Sequence, residues 1–232
     1  MIGILGGMGT QAGLDFCNKL AKLNVGKLDQ QYPMFVLYNK SNTPKRPENL
    51  KKYYNVLKAL IEGCKMLQKN KCKFIVMPCN TAHYWQEDIQ KKINIPLISM
   101  PKEVYKHTRK NCKKNSKIGI LCTEATLKTK VYNKYFDNDF NLVSPNKILQ
   151  KNSVNKSIKF VKMGRIKEAE RVIRPAVKYL IKNKCKKIIL GCTELPIAIF
   201  AYKSFKKIKK SKVFIDPNLL LAEVSLKKYK RL

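Results

Sequence analysis

The sequence predicts an α/β fold made of two similar half-domains, each built around a parallel β-sheet. Short apolar segments alternate along the chain with longer amphipathic segments, as parallel strands alternate with the helices that connect them. The chain also repeats itself: residues 71–81 (KCKFIVMPCNT) return as residues 184–194 (KCKKIILGCTE). A repeat of this length indicates two half-domains rather than a solenoid of many short units.

The strands come in matching pairs. The first strand, Ile2–Leu5, returns as Ile118–Leu121, and 97–100 corresponds to 214–217. The apolar segments that precede Cys79 and Cys192 show no polar alternation, which is typical of parallel strands buried on both faces. The predicted strands are 1–5, 34–38, 73–78, 96–99, 117–122, 140–143, 187–191 and 213–215.

The helices repeat as well, since Tyr53–Asn70 and Ile166–Asn183 are both amphipathic and stand at the same distance before a cysteine. Helices are predicted at 10–24, 48–70, 81–92, 101–113, 125–135, 152–162, 166–183, 194–202 and 218–229. Turn residues predict loops at 38–49 and 136–146, and the lysine-rich segment 206–212 is predicted to be a solvated loop. In open parallel sheets ligands bind beyond the carboxyl ends of the strands, so the residues that follow each strand are the candidates for a site.

Charge is the unusual feature of the composition. The 232 residues include 49 Lys and Arg against 15 Asp and Glu, a formal net charge of +34. This balance is compatible with binding to nucleic acid or to an acidic membrane surface. The lysines are spread along the whole chain without an RNA-binding or zinc-finger signature, which favours a solvated basic surface and no specific nucleic-acid partner. Such a surface would steer anionic substrates inward.

Cysteine and histidine usage points away from disulfides and metals. The eight cysteines form no CxxC pair, and the two histidines, His83 and His107, show no ligand spacing, so no metal is expected. Because the first strand begins at the first residues and no apolar segment reaches the roughly 20 residues of a membrane helix, we expect neither a signal peptide nor a membrane span. The expected compartment is the reducing cytoplasm.

A glycine-rich turn, Gly6–Gly9, follows the first strand. Residues 7–12 match the dinucleotide pattern GxGxxA, but the second strand ends at Asn39 and Asp29 precedes it, so the acidic residue that holds the ribose is missing. The turn is compatible with a backbone anion site for a small carboxylate or with a structural turn alone.

Cys79 and Cys192 are the candidate catalytic residues. Each stands between a buried strand and a predicted helix, a position where backbone amides and the helix dipole lower the pKa of a thiol. If the half-domains pack about a pseudo-two-fold axis, the two thiols face each other across a cleft, where one can remove a proton and the other return it. The alternative is that both are inert relics of duplication. His83, one turn further on, either orients Cys79 or packs in the core.

Three motifs together resemble the aspartate/glutamate racemase superfamily, and its aspartate branch in particular. They are IGILGGMG at 2–9, MPCNTAH at 77–83 and GCTE at 191–194, and they occur in the right order along nearly the whole chain. The resemblance implies two pseudo-symmetric, Rossmann-like half-domains with the active site between them. It implies a domain of residues 1–100 plus 216–232 and a second domain of residues 101–215.

The resemblance also assigns roles. It implies that Cys79 and Cys192 are the two acid/base thiols, and that Arg46, assisted by Lys162, grips the side-chain carboxylate of the substrate. It implies a substrate-binding set of Met8, Arg46, Asn80, Thr81, Thr123, Lys162, Thr193 and Glu194. The sequence departs from the family pattern at Thr10, Lys45 and Glu124, and a cleft-facing Glu124 would repel a second carboxylate.

The predicted function is racemisation of an acidic amino acid, with aspartate as the best substrate and glutamate as a second one. The reaction would be a two-base 1,1-proton transfer between two cysteines with no cofactor, in a homodimer. The alternatives are an isomerase or decarboxylase of small diacids, and a basic nucleic-acid-binding protein on a degenerate racemase scaffold.

Overall fold

The computed structural model describes residues 1–24, 26–46, 53–201 and 212–232. The strands are β1 Ile2–Gly6, β2 Phe35–Asn39, β3 Phe74–Val76, β4 Lys117–Cys122, β5 Asn141–Val143, β6 Lys187–Gly191 and β7 Phe214–Ile215. The helices are α1 Thr10–Leu23, α2 Tyr53–Lys69, α3 Gln86–Gln90, α4 Met100–Asn111, α5 Glu124–Lys128, α6 Asn133–Phe136, α7 Lys147–Leu149, α8 Lys156–Lys162, α9 Ile166–Lys182, α10 Leu195–Phe200 and α11 Pro217–Tyr229. Short 3₁₀ turns lie at Asp29–Gln31 and Thr81–Trp85, and a π-helical turn lies at Gln150–Asn155.

The strands form two parallel sheets with the same order of equivalent strands. The first sheet is β2-β1-β3 and the second is β5-β4-β6-β7, and every strand pair is parallel. The predicted α/β class with two parallel sheets is therefore confirmed. In each sheet the strand after the long helix pairs with the first strand, which places the segments before Cys79 and Cys192 in equivalent positions.

The sequence repeat is reproduced in backbone detail. α2 and α9 both have 17 residues, and each ends two residues before an equivalent lysine in the left-handed region, Lys71 (φ 59°) and Lys184 (φ 60°). The next amide donates back to the last helical turn in both cases, from Cys72 to Leu67 and from Cys185 to a leucine at the same spacing, over 3.3 and 3.2 Å. Both helices thus end in a Schellman motif that turns the chain into the buried strand.

Four predicted elements differ from the structure. The predicted strand 96–99 is wrong, because only Leu97 bridges to Ile75 before the chain enters α4. The predicted helix 125–135 is divided into α5 and α6, since Lys130 adopts a φ of 52°. The predicted helix 81–92 begins as a 3₁₀ turn. The predicted helix 152–162 starts earlier, because the Asn146 side chain accepts a hydrogen bond from the Leu149 amide and caps α7.

Some predicted features lie outside the described residues. These are the end of the predicted loop 38–49, the beginning of the predicted helix 48–70, the final residue of the predicted helix 194–202, and all but the last residue of the lysine-rich segment 206–212.

Each sheet lies in its own compact unit, one formed by Met1–Glu103 with Asn218–Leu232 and the other by Val104–Pro217. The last helix joins the first unit, where buried Asn218 donates to the carbonyl of Ala12 at 3.1 Å and to Asp15 Oδ2 at 2.8 Å. None of the helices in the described part of the chain is long and apolar enough to cross a membrane.

The first sheet is covered on both faces, as its uninterrupted apolar strands require. Leu5 packs in the cluster that contains Leu60 of α2. Ile4, one residue earlier and on the opposite face, packs in the cluster of Phe16 from α1 and Leu221 from α11. Alternation along the strand therefore divides the core of the first unit into two layers.

Candidate active site

In the first unit, the loops after β1 and β2 are joined by Arg46. Its Nη2 donates to the Met8 carbonyl at 2.8 Å, and its Nη1 donates to the carbonyls of Pro44 and Thr43 at 3.1 and 3.4 Å. The structure therefore brings together Met8 and Arg46, two predicted substrate-binding residues. Arg46 is half-buried, so part of the residue remains accessible to solvent while its guanidinium holds the loop.

The glycine turn after β1 is shaped by the chain itself. Gly7 has a φ of +86°, and a Cβ built on it would lie 2.3 Å from the backbone carbon of Lys40. Only glycine fits this contact, since any side chain would collide with fixed backbone. At Gly7 the close approach is thus to the loop after β2, which supports the structural-turn interpretation.

Cys79 follows β3 and is 6% exposed. Its amide donates to the Met77 carbonyl at 2.7 Å, which closes a tight turn at the end of the strand. Asn80 and Thr81 come next and are also buried. Among the described residues no carboxylate hydrogen-bonds the Cys79 thiol, whereas Cys192 has such a partner.

His83 holds the backbone around Cys79 and does not touch the thiol. Its Nε2 accepts from the Met100 amide at 3.1 Å, so the ring proton must lie on Nδ1, which donates to the Cys79 carbonyl at 2.9 Å. Burial lowers the pKa of His83 from 6.5 to about 4, so the ring is neutral at pH 7. His83 therefore fixes the end of β3 against the start of α4.

Cys192 follows β6 and is held as a thiol. Its Sγ donates to Glu194 Oε2 at 3.0 Å. Burial raises the pKa of Cys192 well above the usual range, and the negative charge and hydrogen bond of Glu194 raise it further, whereas Lys162 lowers it. At neutral pH Cys192 is therefore protonated and can act as a proton donor, with the Glu194 carboxylate as its hydrogen-bond acceptor.

Glu194 connects three of the predicted site residues. Its Oε2 also accepts from Thr193 Oγ1 at 3.3 Å, and its Oε1 lies 3.6 Å from Lys162 Nζ. Lys162 is the last residue of α8, and its side chain is 57% exposed while that of Glu194 is 7% exposed. The lysine thus balances a buried carboxylate at the edge of solvent, an arrangement that leaves the ammonium able to contact a second anion.

The end of β4 carries the remaining predicted residue, Thr123, which caps α5 by accepting from the Thr126 amide at 3.2 Å. The neighbouring Glu124 accepts from Asn155 Nδ2 at 2.8 Å. Its carboxylate is therefore engaged within the second unit. Cys122 is fully buried, and burial raises its pKa far above the usual range, as expected for a structural thiol.

Sequence reasoning missed two polar side chains at this sheet edge, Tyr132 and Gln150. Tyr132 is 1% exposed, and burial raises its pKa well above the usual range, with the negative charge of Asp216 acting in the same direction. Gln150 is 4% exposed and donates to the Cys122 carbonyl. Tyr132 lies in the predicted helix 125–135 and Gln150 lies between predicted elements, and neither gives a sequence signal that would distinguish it from ordinary packing.

In each unit most of the predicted site residues follow the carboxyl end of a strand, while Arg46 lies further along the loop after β2 and Lys162 ends α8. The first unit holds Met8, Arg46, Cys79, Asn80 and Thr81, and the second holds Thr123, Lys162, Cys192, Thr193 and Glu194. Within the described ranges no three His, Cys, Asp or Glu side chains are grouped closely enough to hold a metal ion. The chemistry that these side chains offer is proton transfer, hydroxyl hydrogen bonding and carboxylate recognition.

Comparison with known proteins shows which family the chain belongs to. The Asp/Glu/hydantoin racemase family matches residues 5–224. An aspartate racemase structure from Picrophilus torridus superposes with a TM-score of 0.85 at 29% identity, over 99% of this chain and 94% of that one. A structure of an aspartate racemase homologue from Pyrococcus horikoshii has a TM-score of 0.78 at 23% identity, over 99% and 98% of the two chains, and shows the same fold.

Among curated relatives, a broad-specificity amino-acid racemase of Bacillus subtilis is 29% identical over 84% of this chain and 86% of its own length. A glutamate racemase of Carboxydothermus hydrogenoformans is 26% identical over 68% of this chain and 57% of its own length. The resemblance inferred from the sequence motifs is confirmed, as is the expectation of an enzyme of the racemase class.

Proposed function

Because the chain belongs to the Asp/Glu/hydantoin racemase family, we propose that it racemises acidic amino acids, aspartate foremost, with Cys79 and Cys192 as the two acid/base groups. The observation that carries this proposal is the hydrogen bond from the Cys192 thiol to Glu194, in a strand end that repeats the one at Cys79. A pair of inert duplicated cysteines would need no buried carboxylate beside one of them.

The proposed reaction begins with Cys79 as the base. Its thiolate takes the α-proton, and the electron pair of the C–H bond remains on the substrate as an enolate-like carbanion. Cys192 then gives its thiol proton to the opposite face of the α-carbon, which inverts the configuration. The forward reaction leaves Cys79 as a thiol and Cys192 as a thiolate, so in the reverse direction Cys192 takes the α-proton and Cys79 donates its proton to the opposite face. Glu194 Oε2 lies 3.0 Å from the Cys192 sulfur and holds the proton of that thiol by a hydrogen bond.

The carbanion needs stabilisation at the α-carboxylate, where negative charge builds up. Amides and hydroxyl groups aimed at that charge supply it without reorganisation. We assign this role to Asn80 and Thr81 after β3 and to Thr123 and Thr193 after β4 and β6, all of which stand at strand ends.

The side-chain carboxylate is assigned to Arg46 and Lys162. A guanidinium has five N–H donors, and within the described residues three hydrogen bonds from Arg46 go to carbonyls. The Nε hydrogen and one Nη2 hydrogen remain for a carboxylate, which Arg can bind as a fork. Lys162, exposed and beside Glu194, supplies the second cation.

The Bacillus subtilis relative favours a second candidate, a racemase of broad specificity. The two are separated by proton NMR in D₂O, following loss of the α-proton signal from aspartate, glutamate, asparagine and alanine. Our proposal expects aspartate to exchange fastest and alanine to be poor. Alanine or asparagine exchanging as fast as aspartate would favour broad specificity. If none of the four amino acids exchanged its α-proton, the racemase proposal would be wrong. The alternatives would then be an isomerase or decarboxylase of small diacids or a nucleic-acid-binding protein.

We also assign a cofactor-independent activity to a cytoplasmic homodimer. Activity should survive dialysis against EDTA and need neither pyridoxal phosphate nor NAD, while a reductant should protect it, since poised thiolates oxidise readily. Restoration of a dialysed, inactive enzyme by one of those cofactors would contradict this. Analytical ultracentrifugation of the active enzyme tests the dimer.

A further inference from the structure

Gln150 is a buried amide whose two ends differ in their hydrogen bonding. It opens the π-helical turn Gln150–Asn155 and is 4% exposed. Its Nε2 donates to the Cys122 carbonyl at 2.9 Å and to Asn155 Oδ1 at 2.9 Å. In the described part of the chain no donor reaches its Oε1. A π-helical turn inside a helix often marks a functional position.

The orientation of this amide is fixed from both sides. The carbonyl of Cys122 can only accept, so it requires the NH₂ group of Gln150. The second partner of this NH₂ group is Asn155. Because the Glu124 carboxylate accepts from Asn155 Nδ2 at 2.8 Å, Asn155 turns its Oδ1 toward Gln150, and this oxygen also requires the NH₂ group. The Glu124 carboxylate, through Asn155, and the Cys122 carbonyl thus fix the orientation of the Gln150 amide, which leaves Oε1 without a donor among the described residues. Glu124 therefore helps to orient Gln150.

The acceptor belongs to the sheet edge that carries Cys192. Cys122 is the last residue of β4, and its register partner on β6 is Gly191, the residue immediately before Cys192. A buried acceptor without a donor is costly, so a donor is expected there when the enzyme is at work. Cys192 cannot supply it, because its S–H already donates to Glu194.

We propose that Gln150 Oε1 accepts a hydrogen bond from the α-ammonium group of the substrate, with Asn155 and Glu124 as the residues that position it. The assignment rests on the proposed function, in that an amino acid carries an ammonium group on the carbon whose proton is exchanged. A hydrogen bond from a cation to an amide oxygen is the strong, charge-assisted kind. Gln150 would thus help the enzyme to distinguish an amino acid from a dicarboxylate without an amine.

The test compares one variant on two ligands. Gln150→Met keeps the size of the side chain and removes the acceptor. Calorimetry measures binding of DL-aspartate, an equilibrium mixture on which no net reaction occurs, and of succinate, which keeps both carboxylates and lacks the ammonium. We expect about a 10- to 100-fold loss of affinity for aspartate and less than about a twofold change for succinate.

A second variant addresses the positioning residues. Asn155→Leu leaves the Gln150 oxygen in place and removes the partner that orients it, so it should weaken aspartate binding several-fold and leave succinate binding unchanged. Thermal unfolding of both variants checks that they fold as the wild type does.

Three outcomes would overturn the inference. Equal losses for aspartate and succinate would show a structural role only. Unchanged affinity for both ligands in Gln150→Met would show that the oxygen accepts from water. If the wild-type enzyme exchanges no α-proton of aspartate or the other amino acids, the proposed function fails and this assignment fails with it. If the wild type exchanges normally and Gln150→Met binds both ligands as the wild type does, only this assignment is refuted.

Discussion

The two strand ends that carry Cys79 and Cys192 share a backbone and differ in chemistry. Both follow a helix of 17 residues that ends in the same Schellman motif, and both cysteines are almost fully buried. Around Cys79 a neutral histidine binds the backbone carbonyl. Around Cys192 the Glu194 carboxylate accepts a hydrogen bond from the thiol. The repeat gives the two halves the same backbone frame, meaning the 17-residue helix, its Schellman motif and the strand before the cysteine. Side chains at a few positions then give the two thiols different hydrogen-bond partners.

The difference can be traced to single positions of the repeat. At the spacing that relates the cysteines, Glu194 occupies the place of Thr81, and Pro196 occupies the place of His83. A hydroxyl in one half is thus a carboxylate in the other, and this carboxylate adds to burial in raising the pKa of the neighbouring Cys192 thiol. A racemase needs one proton donor and one proton acceptor at any moment, so unequal thiols suit the reaction better than identical ones.

Removing either thiol should give the largest effect. Cys79→Ser and Cys192→Ser should each lower racemisation by about a hundred- to ten-thousand-fold, because a hydroxyl is a much weaker acid and base at neutral pH. The rate is followed by circular dichroism of aspartate. Cys64→Ser, in a buried thiol on α2, is the matched control and should racemise normally wherever it folds. Near-wild-type racemisation by either site variant would remove the two-base mechanism.

The buried histidine of the first half, His83, should make stability depend on pH. Since the pKa of His83 is lowered on folding, the unfolded chain binds the proton more readily, and stability is lost as pH falls from about 6.5 to about 4. The expected loss from this group is about 3 kcal/mol at pH 4. His83→Gln can still donate to Cys79 and accept from Met100, and it does not titrate.

Urea unfolding at several pH values measures this effect as the difference between the wild type and His83→Gln. The difference should shrink as pH falls through that window, because only the wild type has a histidine to protonate. Parallel pH profiles for the two proteins would show that His83 does not titrate across this range in the way its burial requires.

Altering the partners of Cys192 should shift its reactivity in opposite directions. Glu194→Gln removes the charge that raises the pKa of Cys192, so alkylation of Cys192 by iodoacetamide near neutral pH should become faster, on the order of tenfold. Lys162→Met removes the cation that lowers this pKa and should slow alkylation by a smaller factor, because Lys162 is more than half exposed. Peptide mass spectrometry reads Cys79 in the same sample as the internal control. Shifts of the same sign in both variants would contradict the assigned geometry.

The smallest effects should come from the shared frame. Lys71 and Lys184 both hold a left-handed backbone that favours glycine, and both are exposed. Lys71→Gly and Lys184→Gly should each raise the free energy of unfolding by about 0.5–1 kcal/mol. Urea unfolding measures both. Stabilisation by one and destabilisation by the other would mean that the two helix ends are not equivalent.

The sequence predicted the frame well because the frame depends on local patterns. Strand and helix periodicity, and the repeat around Cys79 and Cys192, were sufficient to predict two parallel sheets with the cysteines at equivalent strand ends. The wrong strand at 96–99 depends instead on contacts with residues distant in the sequence. The Met100 amide is bound by His83, so the chain enters α4 directly after the bridge at Leu97.

The chemistry around the thiols was less accessible to sequence reasoning because it depends on contacts between distant segments. The Cys192–Glu194 hydrogen bond spans two residues, yet nothing in the sequence shows that Glu194 turns back toward the sulfur. The link from Glu124 through Asn155 to Gln150 joins two helices that are separated by 31 positions at its first contact. The tautomer of His83 follows only from the two backbone groups that it meets in the folded chain.

The central claim is that two different thiols handle the two faces of the substrate, and early-time racemisation in D₂O tests it directly. L-aspartate is incubated until a few per cent has reacted, and the two enantiomers are separated and analysed by mass spectrometry. Our account predicts that the D-aspartate formed carries deuterium, because a solvent-exchanged thiol donates to it, while the remaining L-aspartate keeps its original proton. D-aspartate that retains the original proton, or deuterium entering L-aspartate as fast as the product, would show that one group serves both faces and would contradict the account.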